Sequence, residues 1–266
     1  MSNAIVVKDL VKTFGGNRTL FGGKSHEVQA VKGVTLELRQ GETLAIVGES
    51  GSGKSTIARM LVGLETPTSG SIEIGGKGYD ALQSEGSRAF GRMIQYVFQD
   101  PVASLNPRKT IDKILDVPLN LLRGYDAGKR KARKRDLLEA VQMPRDTLER
   151  YPHEFSGGQA QRIAIARALA AEAKIMVLDE PVSALDVSVQ AQVLLLLDDL
   201  KREFGLSYLF ISHDLAVVES VSDRVAVMYL GEMVELDTAE KLFAAPGHDY
   251  TRELIASAPR LAAAAQ

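Results

Sequence analysis

The residues GESGSGKS at 48–55 constrain the fold of this chain more than any other part of it. They fit the pattern G-x-x-x-x-G-K-[ST] of a phosphate-binding loop and follow a continuous apolar run, TLAIV at 43–47. An apolar run bounded by glycines is typical of a buried parallel strand. The apolar residues after the loop recur at helical spacing, namely Ile57, Met60, Leu61 and Leu64. We therefore predict a strand, a phosphate-binding loop and a helix packed on the sheet.

The loop itself predicts a nucleoside triphosphate site. Its glycines let the backbone pass close to the phosphates with amide N–H groups pointing inward. We expect Lys54 to reach the β- and γ-phosphates and the Ser55 hydroxyl to ligate Mg²⁺, at the positive N-terminal end of the following helix. The candidate nucleotide ligands are Gly48, Glu49, Ser50, Gly51, Ser52, Gly53, Lys54, Ser55 and Thr56.

Two further apolar runs predict buried strands, KIMVLD at 174–179 and YLFIS at 208–212. A helix over roughly 187–204 separates them, with Val189, Val193, Leu196, Leu197 and Leu200 on its apolar side. Alternation of strand, helix and strand predicts an α/β fold with a parallel sheet covered by helices.

The remaining segments differ in pattern. Residues 4–14 and 34–38 show partial apolar alternation, which suits a half-exposed antiparallel sheet, and 15–27 reads as a long hairpin loop. Residues 225–236 predict a hairpin that turns at Gly231 and Glu232, and about 100–170 is mainly helical in pattern. We interpret this helical stretch as an inserted subdomain.

Composition excludes several classes of protein. The formal net charge of −2 gives no electrostatic argument for nucleic-acid binding. The absence of cysteine excludes disulfides and thiolate metal sites. The sequence contains no apolar run of about 18 residues, the length needed to span a membrane. Its N-terminus lacks the pattern of a secretory signal. We expect a cytosolic protein.

Three more motifs accompany the loop: FSGGQAQR at 155–162, MVLDE at 176–180 and His213 within FISHDL. With them, the chain resembles the ATP-binding subunit of an ABC transporter. The resemblance implies a P-loop NTPase (RecA-like) core with an N-terminal antiparallel β-subdomain and an inserted helical subdomain. It places an ABC ATPase domain at 1–240, with its core at about 1–98 and 171–240 and the helical subdomain at about 99–170. A short C-terminal segment would follow at 241–266.

The resemblance also implies roles for individual residues. Asp179 ends a buried strand, where a carboxylate is costly unless it meets a cation, and it would hold Mg²⁺. Glu180 would be the general base that orients the attacking water. Gln99, in YVFQDP at 96–101, would touch Mg²⁺ or that water, and His213 would sense the γ-phosphate.

Residues Ser156, Gly157, Gly158 and Gln159 open a predicted helix that runs to about Ala173. Ser156 suits an N-cap, and the two glycines expose the first amides of the helix, which makes a second phosphate-binding surface. In ABC proteins the matching surface covers ATP held by a partner subunit, and the segment 183–186 crosses that interface. The resemblance therefore implies a dimer that closes on ATP and opens after hydrolysis.

An aromatic residue near the N-terminus usually stacks on adenine in this family. Phe14 is the candidate, because it ends the first predicted strand. Phe21 is an alternative in the long loop, and a purely structural role in the core is another.

Further strings resemble the ATPases of oligopeptide, dipeptide and nickel importers: 99–110, 151–162, 185–197 and 246–259. Residues 49–70 look more like the second ATPase of such systems. The resemblance implies two integral-membrane permeases, a second and non-identical ATPase, and an extracytoplasmic solute-binding protein. The chain would lie peripherally on the cytoplasmic face of the cell membrane. Nickel, opine or glycoside cargo stays open, and an exporter or a non-transport ABC ATPase fits less well.

The basic run GKRKARKR at 128–135 invites a nucleic-acid or lipid interpretation. Acidic residues nearby and the overall negative charge favour a solvated helix face instead.

Overall fold

The computed structural model describes residues 2–15 and 27–257. The described residues within Met1–Ala81 and Phe210–Gln266 form one compact unit, and Leu82–Leu209 forms the other. Most of the predicted hairpin loop, including Phe21, and the last nine residues lie outside the described residues.

The first half of the chain alternates strands with short helices. In chain order its elements are β1 (Asn3–Phe14), β2 (Val28–Arg39), β3 (Thr43–Val47), α1 (Lys54–Leu61), β4 (Ser69–Ile74), β5 (Lys77–Gly78), α2 (Tyr79–Glu85), α3 (Ser87–Met93), β6 (Ile94–Val97), α4 (Pro101–Ser104), α5 (Ile111–Leu121) and α6 (Ala127–Ala140).

Two 3₁₀ helices, Arg145–Glu149 and Pro152–Glu154, lead into the second half. It contains α7 (Gly157–Leu169), β7 (Ile175–Asp179), α8 (Val187–Phe204), β8 (Ser207–Ile211), α9 (Leu215–Val221), β9 (Arg224–Tyr229), β10 (Glu232–Thr238), α10 (Ala239–Ala244) and α11 (Asp249–Ser257). Within the described ranges, none of the helices combines the length and the apolar character that a membrane crossing requires.

The first unit contains the predicted antiparallel sheet, in the strand order β2-β1-β4-β5. In β2 the buried Val34, Leu36 and Leu38 alternate with exposed residues, so one face of the sheet packs inward. Both long strands extend beyond the segments with clear alternation. β2 already begins at Val28, because pairing with β1 continues to Phe14.

The strand before the phosphate loop is buried along its whole length, as predicted, and pairs in parallel with β9. Helix α1 follows the loop and buries Ile57, Met60 and Leu61. The prediction was wrong for Leu64, which lies beyond the helix and is exposed. The helix has ended by then, and Gly63 takes a left-handed φ of 74°.

The hairpin of β9 and β10 turns at Leu230 and Gly231, one residue earlier than predicted. Both turn residues have positive φ, 47° and 88°. Such a pair matches the right-handed twist of the flanking strands, which fixes the register of the hairpin.

The second unit holds the parallel pair β6 and β7, with Val97 opposite Leu178, and β8 neighbours β7. Helix α8 spans the predicted range and buries Val193, Leu196, Leu197 and Leu200, whereas Val189 is half-buried. The stretch between 99 and 170 is helical throughout its regular elements. The domain boundaries expected from the sequence stay a prediction.

The basic run lies in α6 and is not simply solvated. Lys134 is 6% exposed and donates to the carboxylates of Asp112 at 2.6 Å and Asp116 at 2.9 Å. Arg130 binds Asp116 at 3.0 Å, and Arg133 lies 3.3 Å from Glu172. These cations join α6 to neighbouring parts of the second unit.

Candidate nucleotide site

The phosphate loop joins β3 to α1, and the Lys54 side chain binds back to the backbone of the loop. The Lys54 side chain is buried, and its Nζ donates to the carbonyl oxygens of Gly48 and Glu49 at 2.7 Å each and to the Ser52 hydroxyl at 3.3 Å. A buried ammonium needs such acceptors. The loop therefore holds its own lysine in place, with Glu49, Ser50 and Gly51 exposed at its tip.

Two glycines of the loop lie directly on other backbone. A Cβ at Gly48 would be 2.1 Å from the Met228 carbonyl oxygen, and one at Gly53 would be 2.4 Å from that of Ala30. Both also have left-handed φ values, 143° and 102°. No side chain fits at either position, so the base of the loop is formed by backbone, as close approach to phosphate requires.

The start of α1 suits an anion. Ser55 and Thr56 lie in its first turn, which carries no acidic residue, and the capping position is Gly53. The amide dipoles of a helix N-terminus favour negative charge there. The predicted phosphate-binding loop and helix are thus present with a composition that fits a phosphate group.

In the second unit, the ends of two parallel strands bring functional candidates together. Gln99 lies just after β6 and Glu180 just after β7, and the Gln99 side-chain amide donates to the Glu180 carboxylate at 2.6 Å. Parallel strands end at the same edge of a sheet, which is why residues far apart in sequence meet. The contact holds the Glu180 carboxylate in a defined orientation.

Asp179 is the last residue of β7, and its carboxylate accepts a hydrogen bond from the Tyr96 hydroxyl at 2.5 Å. The sequence analysis missed Tyr96. The signal was available, because Tyr96 lies in the strand that pairs in parallel with β7, three residues before Gln99. Tyr96 therefore orients the candidate metal ligand from the neighbouring strand.

Glu180 has an uncommon backbone conformation, with a φ of 48°. The chain turns sharply there, and its carbonyl accepts hydrogen bonds from the Ser183 amide at 3.3 Å and the Ser183 hydroxyl at 3.2 Å. Left-handed φ at a residue with a Cβ is costly and occurs often at functional sites.

Ser156 is the N-cap of α7, as predicted. The Gln159 amide donates to the Ser156 hydroxyl at 3.4 Å, and the Ser156 amide donates to the Gln159 side-chain oxygen at 3.1 Å. This capping box fixes the start of the helix. The helix ends at Leu169 rather than near Ala173, so its predicted length was wrong by about one turn.

The two glycines of this helix start also have a packing role that the sequence analysis missed. A Cβ at Gly158 would lie 2.3 Å from Cγ1 of Val189 in α8, and one at Gly157 would lie 3.3 Å from Leu185. Glycine at 158 therefore permits α8 to approach the start of α7. The expectation that both glycines are exposed was wrong for Gly158, which is buried by this contact, whereas Gly157 is exposed.

His213 follows β8 and is exposed. The preceding Ser212 amide donates to the carbonyl of Ile46 in β3 at 3.4 Å, two residues before the phosphate loop begins. Asp214 caps α9 by accepting from the Ala216 and Val217 amides. His213 thus lies in a fixed turn at the strand edge where the loop starts.

Phe14 ends β1 with its side chain 39% exposed, and the Lys12 ammonium lies 4.8 Å from the ring centroid. This exposure disfavours the alternative of a buried core aromatic. Its stacking on adenine stays a prediction, and Phe21 lies outside the described residues.

Each unit taken by itself carries donors of the kind that Mg²⁺ accepts beside a nucleotide. Within the described residues, no cluster of three or more His, Cys, Asp or Glu side chains could hold a metal alone. Mg²⁺ prefers one or two carboxylates, water and substrate phosphates to an all-protein cage. In the second unit Asp179 offers a single carboxylate and Gln99 an amide, and in the first unit Ser55 offers a hydroxyl, which are donors of the required kind.

The chain is similar to known proteins over nearly its whole length. A model of the ABC transporter family matches residues 31–183. The oligopeptide transport ATP-binding protein AppF of Bacillus subtilis strain 168 is 50% identical over 254 residues, which cover 95% of this chain and 77% of that protein. The dipeptide transport ATP-binding protein DppF of Haemophilus influenzae is 49% identical, with 97% of this chain and 78% of that protein covered.

A solved structure agrees with the sequence comparisons. A dimeric ATP-binding cassette in a post-hydrolysis state, bound to ADP and Pi, matches with a TM-score of 0.77 and 29% identity, over 88% of this chain and 98% of that one. This confirms the predicted P-loop NTPase fold. The family model spans more than half of the sequence, and the relatives are about half identical over nearly the whole chain, so the chain belongs to the ABC transporter family.

Proposed function

We propose that this ABC ATPase is the energising subunit of a membrane importer for peptide-like solutes. The observation that carries the proposal is the near-complete alignment, at about half identity, with transport ATP-binding proteins for oligopeptides and dipeptides. This alignment supports peptides as the class of cargo. The phosphate loop, with Lys54 bound to its backbone, supports ATP as the energy source.

The proposed roles of the site residues follow from their chemistry. Lys54 and the loop amides bind the phosphates of ATP, and Ser55, Gln99 and Asp179 hold Mg²⁺, which supplies charge neutralisation at the phosphates when bound. Tyr96 keeps the Asp179 carboxylate oriented. His213 senses the γ-phosphate, and Phe14 stacks on the adenine ring.

Glu180 is the proposed general base. Its carboxylate accepts the Gln99 amide and is thereby held in one orientation before any substrate is bound. A base must lie within hydrogen-bonding reach of the water that it activates. We propose that Gln99 releases one carboxylate oxygen to that water when ATP binds, which couples hydrolysis to occupancy of the site.

A second subunit completes the proposed machine. The capped start of α7, residues 156–159, is the proposed anion-binding surface, with Gly157 exposed and Gly158 buried against α8. We propose that this surface covers ATP bound by a second ABC ATPase, and that 183–186 crosses the interface. Two integral-membrane permeases and an extracytoplasmic binding protein would complete the importer, with this chain peripheral on the cytoplasmic face of the membrane.

The test is affinity capture of the tagged chain from its native membranes, followed by mass spectrometry. Recovery of two permeases and a second ATPase would support the importer. Recovery of ribosomes or DNA-repair proteins alone would overturn it. Uptake of a labelled tripeptide by cells carrying Glu180→Gln in place of the wild-type chain then tests the cargo, with labelled nickel as the comparison.

A further inference from the structure

The C-terminal segment, residues 246–251, reaches back to the phosphate loop within the first unit. The Glu49 backbone amide of the loop donates a hydrogen bond to the Tyr250 hydroxyl at 3.1 Å. Tyr250 is only 9% exposed, and its ring lies against that of Tyr229, with 4.2 Å between centroids. A side chain some 200 positions downstream therefore contacts the exposed tip of the loop.

This hydrogen bond fixes the direction of the backbone amide at the start of the loop. Glu49 follows Gly48, whose backbone lies close to the Met228 carbonyl oxygen. Met228 precedes Tyr229 in β9. The end of β9 and the ring pair beside it thus support the first residues of the loop. Farther along the loop, the Gly231 amide donates to the Ser52 carbonyl at 3.1 Å.

One carboxylate holds the backbone amides at the start of the segment, and Arg252 donates to the carbonyl oxygens of Pro246 and Gly247. Glu235 in β10 accepts the amide of Gly247 at 2.7 Å through one oxygen and that of His248 at 3.0 Å through the other. The Tyr250 amide then donates to Nδ1 of His248 at 3.2 Å, which sets the turn before α11. The position of the Tyr250 hydroxyl is thereby determined from the edge of the sheet.

The Tyr250 hydroxyl is also in the right form to accept this bond. Burial raises the pKa of Tyr250 above its ordinary value, although the hydrogen bond from Glu49 lowers it. The group is neutral at physiological pH, and a neutral hydroxyl accepts one N–H while its own proton stays available.

We propose that Tyr250 is a positioning residue for ATP binding, which holds the first half of the phosphate loop in the conformation that receives the phosphates, and that Glu235 anchors it. The proposal rests on the proposed function, since it assigns a role toward the same ATP site. Pre-ordering the loop lowers the entropy cost of binding without touching the reacting atoms. Loss of the hydroxyl should therefore weaken ATP binding and leave the chemical step intact.

The test compares two Tyr→Phe variants of the full chain by titration with a fluorescent ATP analogue and Mg²⁺. Tyr250→Phe keeps the ring contact and removes the acceptor of the Glu49 amide. We expect the dissociation constant to rise about three- to tenfold, the range of one ordinary hydrogen bond. Tyr229→Phe is the matched control, because it removes a hydroxyl from the other ring of the same pair, and it should bind ATP like the wild type.

Steady-state hydrolysis separates positioning from a general structural defect. For Tyr250→Phe, KM for ATP should rise while kcat stays within about twofold of the wild type. Its midpoint of thermal unfolding without nucleotide should match that of Tyr229→Phe. A fall in kcat at saturating ATP, or a loss of binding matched by loss of folded protein, would overturn the positioning role.

A second variant tests the anchor. Glu235→Ala should weaken ATP binding in the same direction, and adding Tyr250→Phe to it should cost no more, because both act through one contact. Independent, additive losses would contradict the proposal, as would unchanged binding by Tyr250→Phe. A wild-type chain that binds no ATP would instead overturn the proposed function itself.

Discussion

Glu180 combines a carboxylate held by Gln99 with a position directly after the buried strand β7. If it is the general base, Glu180→Gln should bind ATP with near-normal affinity, because the loop and Lys54 are untouched. The hydrolysis rate should fall by about 10²- to 10⁴-fold, the usual contribution of a positioned base. Single-turnover hydrolysis beside an ATP titration checks both quantities, and near-normal turnover would remove Glu180 from the role.

Tyr96 is the residue that sequence reasoning overlooked at this site. Tyr96→Phe keeps the ring contact with Phe98 but removes the hydrogen bond to Asp179. We expect the Mg²⁺ concentration for half-maximal hydrolysis to rise about 10- to 100-fold, as for other partners of metal ligands.

Tyr125→Phe is the control for that experiment. The Tyr125 hydroxyl donates to the Glu172 carboxylate at 2.9 Å, so this variant also removes a hydrogen bond from a tyrosine to a carboxylate. The contact lies away from the strand ends that carry Asp179 and Glu180. Its Mg²⁺ dependence should equal that of the wild type. Equal shifts in the two variants would show that the effect is not specific to Asp179.

The sequence predicted the positions of individual residues that stand in short motifs, but it did not predict which side chains they contact. Lys54, Asp179 and Glu180 stand in short motifs, so their positions on loop and strand ends followed from local pattern. The contacts Tyr96 to Asp179 and Gln99 to Glu180 depend on the register of β6 against β7, which local pattern does not contain. Their proposed roles stay predictions.

At the scale of elements, α7 and α8 meet where Gly158 faces Val189. Gly158→Ala should destabilise the second unit by about 1–3 kcal/mol, because the new methyl group overlaps Cγ1 of a stiff side chain. Gly157→Ala, whose Cβ would be only 3.3 Å from the flexible Leu185 side chain, should cost less. Denaturant unfolding of the two variants gives the comparison.

Removal of the opposing side chain should reverse the effect. Val189→Ala deletes Cγ1, so the double variant Gly158→Ala with Val189→Ala should be more stable than the sum of the single losses predicts. Strict additivity would mean that the two residues do not share the contact.

Element positions were predicted well where one physical signal dominated. Continuous apolar runs placed β3 and β7, and helical spacing placed α8 at its observed bounds. Errors occurred at ends: Leu64 fell outside α1, α7 ended early, and the β9–β10 turn shifted by one residue. Caps and turn geometry decide these ends, and apolar periodicity does not report them.

For the whole molecule, acid should weaken both compact units. Burial raises the pKa of Asp116, but Lys134 and Arg130 outweigh it and leave the pKa below the ordinary value. Burial likewise raises the pKa of Glu235, but the nearby Thr251 hydroxyl and the amides of Gly247 and His248 outweigh this effect. The pKa of Glu235 therefore lies below its ordinary value. Stability from both carboxylates is present above their unfolded-state pKa values, 3.8 and 4.5, and is lost as pH falls through the lower folded values.

Urea unfolding at stepwise lower pH measures this loss. The free energy of unfolding should fall below about pH 4.5, and more steeply in the wild type than in the double variant Asp116→Asn with Glu235→Gln. Lys134 keeps its contact with Asp112 in that variant, so its ammonium stays paired. Parallel pH curves would exclude the two carboxylates as the source.

The left-handed backbone at Glu180 opposes stability to the proposed role of this residue as general base. Glycine normally stabilises a folded chain less than alanine does. Here Glu180→Gly should be more stable than Glu180→Ala by about 1 kcal/mol, since both variants lose the carboxylate and only glycine adopts this φ freely. Thermal unfolding of the pair measures the difference. Selection for heat resistance alone would thus favour a glycine at the position of the proposed general base, and any thermostabilised variant of this ATPase has to be screened for turnover as well as for melting.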